Sequence, residues 1–119
     1  LYYNGKDCER DFVKAREWFE QAAEQGHAPA QNNLGGMYEL GKGVPKDLTK
    51  ARKWYELAAD QGYAPSQYNL GMMYANGKGV VQSYEKAFNW YQKAAEQGHA
   101  ESQFHLGLMY LYLKLKKVV

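Results

Sequence analysis

The chain repeats itself with a period of thirty-six residues, and this self-similarity limits its possible folds more than any other feature. Residues 28–63 and residues 64–99 are identical at twenty of thirty-six aligned positions. The same register aligns three tryptophans, Trp18, Trp54 and Trp90. A fixed period of this length is typical of helical repeats, each of which buries its apolar face only by stacking on its neighbours. The sequence therefore predicts a stack of similar units.

These units form one predicted domain. The pattern is already under way at Leu1, so we expect the chain to be a piece of a longer array. The pattern breaks near the other end, where Leu113 and Leu115 stand at the positions of Gly77 and Gly79. The domain consists of a partial repeat (1–27), two full repeats (28–63 and 64–99) and a terminal helix in 100–119 that we expect to be irregular from about residue 111.

Each repeat has the apolar spacing of two helices. Ala51, Trp54, Tyr55 and Ala58 recur at intervals of three and four residues and form one apolar stripe. No segment alternates with a period of two over a useful length, so the predicted fold class is all-α, an α-solenoid of stacked antiparallel helix pairs. We name the two helices of a repeat helix A (about 30–40, 65–76 and 101–113) and helix B (about 12–25, 47–61 and 83–97).

The helix ends carry their own signals. Asp47 and Ser83 can accept hydrogen bonds from the first free amide groups of two B helices. Gly62 follows the last turn of a B helix, and Pro65 fits the first turn of the next A helix. We therefore expect short turns between consecutive helices.

Three glycines, Gly35, Gly71 and Gly107, lie in the middle of the A helices, where glycine costs about 1 kcal/mol relative to alanine. We interpret this repeated cost as a sign of close helix packing. The predicted small partners on the B helices are the pairs Ala22-Ala23, Ala58-Ala59 and Ala94-Ala95. The three tryptophans, with the aromatic residues that follow them (Phe19, Tyr55 and Tyr91), are predicted to supply the large buried area of the core.

The repeated motifs resemble a known family. The combination of LGxMY, GxGV and KAxxWYxxAAxQG with the thirty-six-residue period is similar to the Sel1-like repeat, a relative of the tetratricopeptide repeat. The resemblance covers residues 1–110, and the final LYLKLKKVV departs from it. It implies a right-handed superhelix in which the A helices line a concave groove. It also implies an adaptor or scaffold role in bacterial or eukaryotic signalling, envelope or secretory-quality-control complexes.

Charge and hydropathy exclude two classes of partner. Fifteen Lys and Arg against thirteen Asp and Glu give a net charge of +2. Because Lys114, Lys116 and Lys117 lie in the last six residues, the rest of the chain has no basic surface for nucleic acid. The mean hydropathy of −0.71 and the absence of a long uncharged apolar run argue against membrane insertion.

Few residues suit metal binding or catalysis. His27 and His99 lie two repeats apart, and His105 has no second ligand one helical turn away, so we expect no metal site and no cofactor. Cys8 falls in what the register predicts to be an inter-helix turn, without a histidine base. The GKG segments lack the spacing of a phosphate-binding loop. We therefore expect a protein that is not an enzyme.

A candidate partner-binding face lies on the side of helix A that varies between repeats, which we call the helix A face. Asparagine amides suit a peptide backbone, and Met and aromatic side chains suit the apolar residues of a partner. For Asn32, Gly36 and Glu39, simple exposure to solvent is the alternative. The nine predicted residues are Asn32, Asn33, Gly36, Tyr68, Asn69, Met72, Phe104, His105 and Leu108.

The last A helix is apolar nearly all round, and no B helix follows it. Helices with this pattern are normally buried, and terminal repeats ordinarily need a polar outer face. We therefore expect either a longer array or a homo-oligomer or partner contact through Leu108, Leu111, Tyr112 and Leu115.

The predicted function is a non-catalytic protein–protein interaction module that binds a protein or peptide along the helix A face. A structural element for self-assembly is the first alternative. A weak β-lactam-binding hydrolase is a remote one, because the cysteine-rich relatives with that association have cysteines that are missing here. We expect a soluble protein of the bacterial cytoplasm or periplasm.

Overall fold

The computed structural model describes the backbone of residues 5–118 and the side chains of residues 8–116. Within this part of the chain there are six α-helices and no strand. Each helix packs against the next one in sequence, and the molecule is elongated, with extents of 55 × 29 × 29 Å. The predicted all-α solenoid of helical repeats is confirmed. The helices are α1 (Gly5–Glu24), α2 (Ala28–Leu40), α3 (Leu48–Asp60), α4 (Ala64–Asn76), α5 (Tyr84–Glu96) and α6 (Ala100–Val118).

The helix ends follow the predicted signals. Asp47 Oδ1 accepts a hydrogen bond from the Lys50 N–H at 3.0 Å, and Ser83 Oγ accepts one from the Lys86 N–H at 3.1 Å. These bonds satisfy amide groups that the first turn of a helix leaves free. Gly62 has a φ of 90°, a left-handed conformation that ends α3. The A helices are therefore α2, α4 and α6, and the B helices are α1, α3 and α5.

The two terminal helices are longer than expected. Cys8 lies inside α1, so the predicted turn at this position is wrong. The predicted irregularity from residue 111 is also wrong, because α6 continues without a break to Val118. The inner A helices end at Gly41 and Gly77, which have φ values of 71° and 65°. Leu113 and Leu115 lie where the turn glycines would be, and leucine favours a helical conformation. The start of the repeat pattern at Leu1 lies outside the described residues.

The mid-helix glycines of the two complete repeats receive a tyrosine ring, not the predicted alanine pairs. A Cβ atom on Gly35 would lie 2.5 Å from Cδ1 and Cε1 of Tyr55, and one on Gly71 would lie 2.5 Å from Cε1 of Tyr91. Both tyrosines are 2% exposed, as expected for core aromatics. Close approach at these two glycines is thus confirmed, and its cause is an aromatic ring of the following B helix.

Gly107 differs from its two equivalents. A Cβ atom placed on Gly107 would meet nothing within 4 Å, so the prediction of a close contact is wrong at this position. The reason is that α6 has no B helix after it in the described chain.

The tryptophans are less buried than predicted. Trp54 and Trp90 are half-buried, and Trp18 is 70% exposed. Trp54 packs back against the preceding A helix, α2, on a cluster that contains Ala30 and Leu34. Trp18 has no preceding A helix within the described residues, which explains its exposure. The core aromatic of each repeat is therefore the tyrosine after the tryptophan.

Candidate functional site

Contacts between neighbouring A helices join several of the nine predicted residues. Asn69 Nδ2 in α4 donates a hydrogen bond to Asn32 Oδ1 in α2 at 3.0 Å. The Tyr68 hydroxyl in α4 lies 3.3 Å from His105 Nε2 in α6. Both pairs are thirty-seven residues apart, one more than the repeat period. The helix A face is thus a continuous strip across neighbouring repeats.

The asparagines of this strip are oriented by hydrogen bonds. Asn32 Oδ1 also accepts a bond from the Ser66 hydroxyl at 2.7 Å, so this oxygen has two donors. Asn32 and Asn69 are half-buried. The Asn32 Nδ2 group and the Asn69 Oδ1 atom have no hydrogen-bond partner among residues 8–116. Together they leave one donor and one acceptor, as a peptide backbone requires.

Gly36 and Asn33 contribute in different ways. Gly36 is half-buried, and a Cβ atom there would lie 3.7 Å from the Tyr55 hydroxyl. The Tyr55 hydroxyl donates a hydrogen bond to Glu39 Oε1 at 2.7 Å, and Glu39 Oε2 pairs with Lys78 Nζ at 2.9 Å. Asn33 is exposed and has its whole amide available for a partner.

An aromatic cluster occupies the α4–α6 end of the strip. The His105 ring stacks on the Tyr91 ring, with 5.2 Å between the centroids and an interplanar angle of 12°. The Tyr68 ring lies 5.1 Å from His99 and 5.7 Å from His105, and Phe104 meets His105 edge-on at 5.9 Å. Phe104 is 64% exposed, so the cluster presents an aromatic edge to solvent. Met72, half-buried, and Leu108, 45% exposed, are the remaining members of the predicted face.

The structure adds two residues that the sequence interpretation did not place in the site. Tyr91 was predicted as core only, and it is both the core aromatic and the base on which His105 rests. His99 has no predicted role in this face. Its Nδ1 accepts a hydrogen bond from the Ser102 N–H at the start of α6, and its ring contacts Tyr68. Tyr68 and His105 are thirty-seven residues apart, one more than the repeat period. A search for aromatic residues at this spacing could have indicated the cluster from the sequence.

An open apolar groove of about 830 Å³ lies between α5 and α6 and continues the aromatic cluster. In the inner repeats, the turn after helix A fills the equivalent place. Its second glycine lies against the neighbouring B helix: a Cβ atom on Gly43 would lie 2.7 Å from the Phe12 carbonyl oxygen, and one on Gly79 would lie 2.7 Å from Leu48 Cβ. Because α6 runs straight on, no turn covers the equivalent Tyr84. The lining residues include Tyr84, Phe88, Tyr91, His105, Leu108 and Tyr112.

The residues predicted for self-association are all exposed. Leu111 is 55% exposed, Tyr112 63% and Leu115 57%. This exposure agrees with the premise that no B helix covers the outer side of α6 within the described residues, and the self-association itself stays a prediction. Tyr112 lines the groove. Leu111 lies one helical turn after Gly107, on the same side of α6.

Burial changes the acidity of the tyrosines around this site. It raises the pKa of Tyr91 to about 12, and the nearby Tyr68 adds to the shift. Burial also raises the pKa of Tyr68, and the negative charge of Glu101 acts in the same direction. The pKa of Tyr55 is raised strongly, first by burial and then by its hydrogen bond to Glu39. All three phenols are therefore neutral donors at physiological pH.

The raised pKa values predict a loss of stability in alkaline solution. Above pH 10, the ordinary tyrosine pKa, the unfolded chain ionises while Tyr55 and Tyr91 stay protonated in the folded chain. The unfolded state then binds fewer protons, so the free energy of unfolding falls as the pH rises. Urea unfolding at pH values from neutral to 12 measures this slope, which should be shallower in Tyr55→Phe. Equal slopes in Tyr55→Phe and in the exposed control Tyr84→Phe would contradict the assignment.

Two kinds of site are not found in the described chain. No group of three or more His, Cys, Asp or Glu side chains within residues 8–116 is placed to hold a metal ion. Among the described helices, none combines the length and the apolar character needed to span a bilayer.

The repeated A and B helices and the continuous helix A face define the chain as an α-solenoid of helical repeats. The Sel1 repeat model matches residues 1–27, 28–63, 64–99 and 100–118. The chain therefore belongs to the Sel1 repeat family, whose members are generally protein-interaction modules.

Two solved structures illustrate the similarity. A Sel1 repeat protein from Oxalobacter formigenes is 39% identical with a TM-score of 0.79, and the match covers 82% of this chain and 40% of that one. A protective antigen present in uropathogenic Escherichia coli strains, which has the same fold, is 48% identical with a TM-score of 0.78, over 80% of this chain and 20% of that one. This chain thus spans less than half of either protein. No curated protein matches it.

Proposed function

We propose that the helix A face binds an extended segment of a partner protein. The observation that carries the proposal is the asparagine pair: Asn32 and Asn69 hold each other in place and leave one donor and one acceptor unused. An extended backbone offers the complementary carbonyl and N–H groups along its length. Because the pair is already ordered, binding loses little additional side-chain entropy there.

The aromatic cluster and the groove supply the apolar part of the proposed site. Phe104 and Leu108 are exposed next to His105, and the groove between α5 and α6 begins at the same residues. Aromatic and Met side chains are enriched at the centres of interfaces, where a partner's apolar side chain is fully removed from water. We therefore expect the partner segment to carry one large apolar residue near a stretch of free backbone.

A peptide library displayed on phage and selected against the chain tests the proposal. Selected peptides, titrated by calorimetry, should bind the double variant Tyr68→Ala, Met72→Ala at least about tenfold more weakly, since loss of a central contact costs about 2 kcal/mol. Phe104→Ala, at a side chain that is 64% exposed, should weaken binding without affecting folding.

Leu57→Ala is the matched control for these variants. Leu57 is an exposed apolar residue on α3, away from the helix A face, and it is 50% exposed. Peptides should bind this variant as they bind the wild type. Selected peptides that depend on Leu57 and not on Phe104, or a selection that yields no binder, would contradict the proposal.

A further inference from the structure

The first turn of α6 is held by a histidine ring. His99 immediately precedes the helix, and its Nδ1 atom accepts a hydrogen bond from the Ser102 N–H at 3.3 Å and lies 2.9 Å from the Ser102 hydroxyl oxygen. At the starts of α3 and α5 the same role belongs to oxygen atoms of Asp47 and Ser83. Histidine, unlike aspartate and serine, changes its charge between about pH 5 and 8. The start of α6 therefore depends on a group that titrates near neutral pH.

The equivalent positions of the other two A helices lack this bond. His27 precedes α2 and Tyr63 precedes α4, and neither side chain accepts a hydrogen bond from its helix. Ala30 stands in α2 where Ser102 stands in α6, and His27 is exposed to solvent. In α4 the Ser66 N–H donates to the Tyr63 carbonyl oxygen at 3.1 Å. The bond to an imidazole nitrogen is thus a particular feature of α6 and not of the repeat.

This bond requires a neutral His99 ring. Nδ1 has a single lone pair, so a hydrogen atom on it leaves no acceptor for the Ser102 N–H. Ser102 is 0% exposed, so water does not replace the lost acceptor, and a buried donor without a partner is costly. The charged ring would also lie at the positive end of the α6 helix dipole. Protonation of His99 therefore destabilises the first turn of α6.

The groups around His99 provide no ion pair for a charged ring. From α4, the Tyr68 ring contacts the His99 ring with 5.1 Å between the centroids, and this phenol is neutral. From α5, Glu96 is exposed and Lys93 Nζ lies over a tryptophan ring of its own helix. On α6, Glu101 is exposed and lies near Tyr68. Neither glutamate forms an ion pair with His99 within residues 8–116.

His105, the other histidine beside Tyr68, keeps its contacts in either charge state. Its Nε2 atom lies 3.3 Å from the Tyr68 hydroxyl, which can donate to a neutral ring or accept from a charged one. Its ring stacks on Tyr91, and the face of an aromatic ring also attracts a cation. The loss of a contact on protonation is therefore specific to His99.

We propose that His99 makes the α4–α6 end of the helix A face sensitive to pH. Its neutral ring holds the first turn of α6 and the Tyr68 ring in place, and its protonation releases both. Tyr68 is next to Asn69, which is bonded to Asn32, so the change reaches the asparagine pair. The partner segment is then held at neutral pH and bound more weakly in mildly acidic solution. This consequence for binding rests on the proposed function, whereas the change in α6 does not.

Amide hydrogen exchange followed by NMR tests the contact without any ligand. The protection factor compares the measured exchange rate with that of an unstructured chain at the same pH, which removes the ordinary effect of pH on exchange. For Ser102 it should fall about fivefold between about pH 7.5 and pH 5, as expected for the loss of one helix cap. For Ala30, at the equivalent place after His27, it should not change. An unchanged value for Ser102, as a transfer of its N–H to the His99 carbonyl oxygen would give, would overturn the proposal.

His99→Asn separates the histidine from every other titrating group. Asparagine is among the best residues at this position, and its oxygen accepts a hydrogen bond at any pH in this range. The variant should therefore fold, with equal Ser102 protection at both pH values. His27→Gln, at the exposed equivalent position, should keep the pH dependence of the wild type. A fall that persists in His99→Asn, or one that disappears in His27→Gln, would assign the effect to another group and refute the proposal.

Calorimetry with selected peptides that contain no histidine extends the test to binding. Between about pH 7.5 and pH 5 the Kd should rise about fivefold in the wild type and in His27→Gln, and less than about twofold in His99→Asn. Equal rises in the wild type and in His99→Asn would show that His99 does not control the face. If no peptide binds at either pH, the proposed function fails, and the protection factors still decide whether His99 controls α6.

Discussion

Replacing Tyr55 by alanine should lower the free energy of unfolding by about 4 kcal/mol, within the range measured when large buried side chains are truncated. The Tyr55 side chain is 2% exposed, rests on Gly35 and belongs to the same core cluster as Leu70 and Met73. Its removal leaves a cavity between two A helices and deprives Glu39 of a donor. Because stacked repeats contact only their neighbours, the loss affects both halves of the short array.

Trp18→Ala is the matched control for this substitution. It removes a larger aromatic side chain, but one that is 70% exposed, so the expected change is less than about 1 kcal/mol. Urea unfolding monitored by circular dichroism measures both variants. If Trp18→Ala were as destabilising as Tyr55→Ala, the placement of the core at the tyrosine would be wrong.

Gly71→Ala should lower the free energy of unfolding by about 2 kcal/mol, although alanine is the better helix former. The new methyl group would lie 2.5 Å from Cε1 of Tyr91. That ring cannot move aside easily, because it is buried and stacks on His105. Overpacking of this kind costs about 1–3 kcal/mol in a well-packed core, and the expected decrease in melting temperature is about 5–10 °C.

The same substitution at Gly107 should have the opposite sign. No atom lies within 4 Å of the added methyl group, so only the helix propensity changes, and we expect a gain of up to about 1 kcal/mol. A double variant, Gly71→Ala with Tyr91→Leu, should lose less stability than the sum of its parts, because the smaller side chain makes room. Equal effects of alanine at Gly71 and Gly107 would show that the tyrosine contact is not the reason for the glycine.

The family and the helix pairs could be predicted from the sequence because they depend on local and periodic signals. Asp47 and Ser83 are caps that act within one turn, and the thirty-six-residue period is visible without any contact being known. The partner of the mid-helix glycine could not be predicted in this way. Several small or planar residues of helix B recur with the same period, and periodicity alone does not show which of them faces Gly35.

The candidate site, too, could be predicted from the sequence only in part. The sequence indicated which positions vary between repeats, and the structure joins some of them, as in the contact of Tyr68 with His105. It did not indicate that Asn32 bonds to Asn69, because that bond joins neighbouring repeats at an offset of thirty-seven residues. The stacking of His105 on Tyr91 depends likewise on how α6 crosses α5. Partner identity and the residues that bind it stay predictions.

The sequence by itself determined that this chain is a stack of helix pairs, since period, caps and apolar spacing are properties of the linear chain. Only the tertiary structure decided which side chains are buried between the helix pairs, and which of three equivalent residues remains exposed. Trp18 and Gly107 have the same sequence context as their inner equivalents, yet they are exposed, because burial depends on whether a neighbouring helix is present.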